Sequence, residues 1–227
     1  MNLREITGLI FIIGLGLLLG AVVKIVAFDN TITGGVGASI LIHAPPDLGT
    51  ANIVTSVLLG YRGLDTLGEL TVLFVAATAA GLVLGQRRAD APFDADAGFI
   101  LRVAANLLFP FLIMLGAYII LHGHLTPGGG FQGGAILAAA FFIPILASPA
   151  SNLNHRVSSS VEGLAGAAFI IIGLLAIFDK GYFLAPLLGN GEGHFFSAGS
   201  LLLLDMAVGF QVGVVLAGLL ARLQESE

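Results

Sequence analysis

The chain has 227 residues, of which 57% are hydrophobic and only 10% charged, with a net charge of −5. Ordinary soluble domains carry roughly 25% charged residues, and so little polar surface cannot coat a water-soluble globule of this size. The absence of cysteine excludes disulfides, iron–sulfur ligation and thiolate metal sites, and an acidic balance without a Lys/Arg cluster argues against nucleic acid as a partner.

The apolar residues fall in runs of about 17–25, the length that crosses a hydrocarbon core of about 30 Å. The pattern predicts an all-α, polytopic transmembrane helix bundle of about six spans. The first is Ile6–Ala27, too long for the apolar core of a secretory signal and carrying Lys24 where a small-residue cleavage site belongs, so it reads as a retained helix. The segment Ala51–Tyr61 is apolar but short, and reads as a re-entrant or interfacial helix or as an extension of the next span. The second span is Leu67–Gly85. A hydrophilic connector follows, Gln86–Ala97 (QRRADAPFDADA), and divides the chain into a two-span front part and a four-span back part. The remaining spans are Phe99–Leu121, Phe131–Ala147, Val161–Phe178 and Ser197–Ala221.

An even number of spans puts both termini on one side. That side then holds Arg4, Arg87, Arg88, Arg102, Arg156 and Arg222, against Lys24, Arg62 and Lys180 on the other, which places both termini in the cytoplasm. No internal repeat of the kind that builds autonomous carriers is present. Gly16/Gly20, Gly81/Gly85 and Gly209/Gly213 have GxxxG spacing, which suits ordinary close helix packing.

Acidic side chains within the bilayer carry the most information, because a charge there costs at least ~2.5–3.5 kcal/mol. Asp65 and Glu69 stand four residues apart, on one helix face. Two ionised carboxylates so placed must share a proton, bind a cation or meet Arg62; the alternative is an Arg62 pair that pins the helix start. Asp205, inside the last span, needs a partner such as a lysine, a histidine or water, and Gln211 lies deeper still. Lys24 reads as snorkelling to the interface, with a proton-relay role as the alternative.

Ser159-Ser160-Val161-Glu162 reads as a capping box that starts the fifth span, with a transport role for Glu162 as the alternative. His122 and His124 end the third span, where a wet interfacial position is expected and a pH-responsive role is the alternative; no acidic neighbour completes a metal set. Pro110 removes a donor inside that span and frees the Asn106 carbonyl. The loop Pro127–Gly134 (PGGGFQGG) combines Pro127, Gly128, Gly129, Gly130, Gly133 and Gly134. It is expected to make a tight turn against a neighbouring helix, and it leads into a helix N-terminus whose free N–H groups suit an anion. No nucleophile–base pair, zinc set, haem motif or dinucleotide fingerprint is present.

Two stretches resemble a known family. Asn52–Thr71 (NIVTSVLLGYRGLDTLGELT) resembles the C-terminal portion of the large subunit of Mrp-type multisubunit Na⁺/H⁺ antiporters, a piece that is a separate small subunit in archaeal membrane-bound hydrogenases. His122–Gly134 (HGHLTPGGGFQGG) is similar to the GHxxPGGGFxGG hallmark of the B-type subunit of Mrp antiporters. Phe196–Val214 resembles that family's closing FDxGV segment, with Leu204 in place of Phe. The resemblance implies a fusion: residues 1–86 from the antiporter tail, 87–98 as polar linker, 99–227 as the B-type subunit. It implies a component of a cation/proton antiporter complex in a prokaryotic cell membrane, with other membrane subunits as partners, Na⁺ and H⁺ as transported ions, and no cofactor. Asp65, Glu69 and Asp205 carry over as ion-path candidates, with Arg62, Lys24, His122 and His124 as possible partners. The same module inside an ion-pumping hydrogenase or respiratory complex is one alternative, and a scaffold without ion contact another.

Overall fold

The computed structural model describes residues 3–28, 35–84, 98–147, 155–189 and 193–226. The connector Gln86–Ala97 and residues Arg87 and Arg88 lie outside the described residues. Among those described, every regular element is a helix. The chain forms two units, residues 1–43 and 44–227.

The first unit contains helix α1, Leu3–Phe28, and the first part of α2, Val36–Leu48. Lys24 is on α1 and exposed. Helix α2 was not expected: VGASILIHAPPDL is short, with Pro45 and Pro46 inside it. Its two prolines lie in the last turn and withhold two amides that would close the turn before them.

The second unit begins with Ala44. Helix α3 is one turn, Ile53–Thr55, capped by Asn52, whose side chain accepts from the Val54 N–H at 3.0 Å. A π-helical turn, Ser56–Tyr61, continues it, and the chain breaks at Arg62 before α4, Gly63–Leu84. The short apolar segment of the sequence is thus a distinct helical entry to the second span. Helices α5 (Gly98–Leu121), α6 (Gly130–Ala147), α7 (His155–Lys180) and α8 (Ser200–Ser226) follow.

Helices α4 to α8 are each long and apolar enough to cross a membrane, as expected of the second to sixth spans. The first expected span falls on α1, which has 26 residues and the described apolar stretch Ile12–Lys24. Helix α5 runs through Pro110 as one helix, and α6 through Pro144.

Helix α8 is the centre of the second unit. Helices α4, α6 and α7 pack against it, and α5 packs mainly against α6. Two-thirds of its apolar window (67%) is buried within the chain, whereas the figure for α4 is 6%. A span that exposed needs lipid or another subunit around it.

Glycine permits the closest contact. A Cβ at Gly134 would lie 2.7 Å from the Gly209 carbonyl oxygen, and one at Gly209 would lie 2.5 Å from Ile120. The Gly209/Gly213 pair therefore is a true packing seam, while Gly16 and Gly20 have nothing within 4 Å.

The capping-box expectation was wrong. Helix α7 begins at His155, so Ser159 and Glu162 lie inside it. The polar first turns, HRVSSS, disguised the true start because they carry no apolar signal.

Candidate functional site

The glycine loop is where buried polar groups from three stretches of the chain converge. Gly128 and Gly129 adopt φ of 151° and 137°, a region that side chains with a Cβ disfavour. Together they turn the chain so that α6 starts pointing directly at α8. The Gly130 N–H, a free donor of the first turn of α6, donates to Asp205 Oδ1 at 2.7 Å. The anion expected at that N-terminus and the partner expected for Asp205 are therefore one and the same contact.

Asp205 is only 4% exposed, and its Oδ2 has no hydrogen-bond partner among the described residues. Gly123 and Gly129 flank the carboxylate so closely that a Cβ at Gly123 would collide with Oδ2. The pocket there is small, about 10 Å³, lined by Thr55, Leu58, Gly129, Gln132 and Val208 among others.

Residues 50–56 hold the loop from the other side. Asn52 Nδ2 donates to the carbonyls of Gly123 at 2.7 Å and Thr126 at 2.9 Å, and its backbone N–H to the His124 carbonyl at 3.0 Å. Thr55 Oγ1 donates to the Gly123 carbonyl at 2.6 Å. Buried Thr50 and Ser56 are hydrogen-bonded to one another, and Ser197 donates to the Gly49 carbonyl at 2.5 Å.

His124 corrects the expectation of a wet boundary: it is fully buried, with neither ring nitrogen hydrogen-bonded among the described residues. Burial pushes its imidazole below the usual histidine range, backbone groups of His194 and Phe195 pull partly the other way, and neighbouring His122 adds to the lowering. His122 is half-buried, stacked on Tyr118. Both histidines meet the Phe195 ring edge-on, at 5.6 and 6.1 Å, so the segment before α8 joins residues that do not share a helix face.

Asp65 and Glu69 occupy the first turns of α4. Arg62 Nε and its terminal amine both donate to Asp65 Oδ2 at 2.6 Å, an exposed pair that contributes about 0–1 kcal/mol to stability. Glu69 is exposed and has no ion pair among the described residues. No group of three or more metal-ligating side chains occurs among the described residues.

A bundle of apolar helices with a buried acid held against a glycine loop, and an exposed acid on the least covered of α4 to α8, fits a polytopic membrane subunit. Residues 100–218 match the family described as "Domain related to MnhB subunit of Na+/H+ antiporter", and residues 3–92 match the MbhE family, the E-type component of MBH. The chain belongs to the MnhB-related family of antiporter subunits.

Among its relatives, the B-type Na⁺/H⁺ antiporter subunit of Bacillus subtilis is 28% identical over 104 residues, covering 41% of this chain and 73% of that protein. Two solved assemblies contain similar chains. One is the membrane-bound sulfane sulfur reductase, an archaeal respiratory membrane complex (35% identity, TM-score 0.79, 98% of both chains). The other is the Mrp complex of a Dietzia species (32% identity, TM-score 0.78, 98% of this chain and 26% of that one). This chain is a membrane subunit of a multisubunit antiporter-type complex, with other membrane subunits as its partners.

Proposed function

We propose that the chain serves cation/proton exchange, Na⁺ against H⁺, in a prokaryotic plasma membrane, with Asp65 and Glu69 beside the ion path. The observation that carries this reading is the state of α4. Among α4 to α8 it is the least covered span, and it presents Glu69 on an open face with no ion pair among the described residues. A carboxylate left to lipid is costly, so the assembled complex must supply water, a cation or a basic group there. Arg62 is already engaged by Asp65, which leaves Glu69 free for the ion.

The adjoining matches over 3–92 and 100–218 support a fusion with its linker near residues 87–98. The basic-residue bias supports cytoplasmic termini, with the glycine loop facing outward. Cysteines introduced at Thr126 and Ser148 then label from opposite sides of sealed cells. The near full-length likeness to a chain of the sulfur reductase favours a second reading, in which the same subunit works within a respiratory enzyme. Purification of the native complex separates the two, since iron–sulfur subunits accompany the chain only in the second.

Glu69→Gln tests the site itself. Transport per assembled complex should be lost with assembly unchanged. If assembly falls in step with activity, and removing Arg62 as well restores both, Glu69 is an anchor and this reading is wrong.

A further inference from the structure

Far from the glycine loop, at the end of the bundle where α4 and α8 finish and α7 starts, three helices enclose a second polar site. A cavity of about 80 Å³ is lined by Thr78 of α4, Ser158, Ser159 and Glu162 of α7, and Arg222 of α8. A water needs roughly 10–15 Å³ of such space, so the cavity holds several. Arg222 reaches across to α4, where its guanidinium lies so close to Gly81 that a Cβ there would collide with it. Glu162 faces the Arg222 charge but makes no ion pair with it within 4 Å among the described residues, so the two charges share the cavity without closing it.

This cavity is not isolated. One turn further along α7 from Glu162, Gly166 packs against the Gln211 amide; a Cβ there would lie 3.4 Å from Oε1. Gln211 is 5% exposed, and its Oε1 has no hydrogen-bond partner among the described residues. Six residues nearer the start of α8, about 9 Å along its axis, stands Asp205 with its own unpartnered Oδ2. Buried oxygens of this kind are commonly satisfied by ordered water. Gln211 and Arg222, eleven residues apart, lie on nearly one face of α8, so Gln211 and the Glu162–Arg222 cavity form a file over about 16 Å of it, whereas Asp205 is turned to the glycine loop.

We infer that Glu162 is a proton-exchanging carboxyl in a hydrated cavity, and that Gln211 continues a water-linked proton path from it along the α7–α8 interface. The inference rests on the proposed exchange function and adds a route through this chain. In the step, the Glu162 carboxylate takes a proton from hydronium, leaving water, and returns it to a water held towards Gln211. The charged and polar groups facing Glu162 are Arg222 from α8, Thr78 from α4, and Ser158 and Ser159 from its own helix. A sodium ion would share this space with a guanidinium, which repels it, whereas a proton on the carboxylate needs no added room.

The test uses the intact complex in nanodiscs and liposomes. Infrared difference spectra between about pH 4 and pH 9 should contain a carboxyl stretching band that Glu162→Gln removes. Its midpoint should shift in Arg222→Gln, where the facing charge is gone. Gln211→Leu should keep the band but cut proton exchange per assembled complex about tenfold, one proton-transfer contact in the path being lost. Superposable spectra of wild type and Glu162→Gln, or wild-type exchange in both Glu162→Gln and Gln211→Leu, overturn the inference. Should Glu162→Gln not assemble, Glu162→Asp, with the band moved but present, and Gln211→Leu decide it. A wild-type complex that moves no protons would refute the proposed function, while the band still tests Glu162.

Discussion

Asn52 grips Gly123 across 71 residues of sequence, its Nδ2 donating to the Gly123 carbonyl at 2.7 Å. The same side chain donates to the Thr126 carbonyl and caps α3 through Oδ1, so one amide joins the region matched to the MbhE family with the glycine loop of the MnhB-related region.

Replacing Asn52 by Asp keeps the cap but turns two donors into an acceptor facing two carbonyls. Asn52→Asp should therefore destabilise at least as much as Asn52→Ala, by about 1–3 kcal/mol, whereas a residue acting only as a cap would tolerate Asp well. Thermal melting of the detergent-solubilised complex, followed by size-exclusion chromatography, ranks the two.

Gly134 faces a backbone carbonyl, which cannot rotate away. Gly134→Ala should push α6 off α8 and cost about 1–3 kcal/mol. Gly163→Ala on α7, with nothing within 4 Å of its Cβ position, should leave abundance in membranes unchanged. Equal abundance of the two variants would refute the packing argument.

Asp205→Asn retains an acceptor for the Gly130 N–H and removes the charge. Assembly should persist, and exchange should fall on the order of 100-fold if the carboxylate also moves protons. Asp205→Ala loses the cap as well and should lower stability by about 1–2 kcal/mol. Wild-type exchange per complex in Asp205→Asn would leave Asp205 a cap alone.

His124 gives a pH dependence whose sign is fixed by its burial. Its folded-state pKa lies below the unfolded value, so below about pH 6.5 the unfolded chain binds more protons than the folded one. Stability from this group is present above that pH and is lost as pH falls below it. The melting temperature of the wild-type complex should drop on acidification from about pH 7 to pH 5, and His124→Gln should flatten the drop. An unchanged slope in the variant would remove His124 as the cause.

The spans were legible because a bilayer crossing writes its length into the sequence, and helices α4 to α8 fall where the apolar runs are. Helix α2 was not legible: its 13 residues hold two prolines and too few apolar positions for a crossing. The start of α7 was misread because its polar turns offered a capping pattern inside the helix. Both ends of the Gly130–Asp205 contact were recognised separately, one as donors suited to an anion, the other as an acid short of a partner. Joining them required knowing which helices touch, which local spacing does not encode. His124 looked wet because its neighbours are polar, and its cover, Phe195, comes from a segment far along the chain.

The π turn at Ser56–Tyr61 has a consequence for how the acids on α4 are aimed. Such a turn holds one residue more than an α-helical turn, and each residue of an α-helix advances the face by about 100°. The Arg62 N–H closes this turn on the Val57 carbonyl, and Thr66 Oγ1 reaches back to Leu58, so the added residue is locked in as a phase setting. Were the same six residues of Ser56–Tyr61 to wind as plain α-helix, without the wide turn that takes up the extra one, Asn52 and Glu69 could no longer both keep their bearings. With Asn52 held on Gly123, Asp65 and Glu69 would swing by about 100° away from whatever subunit they now address.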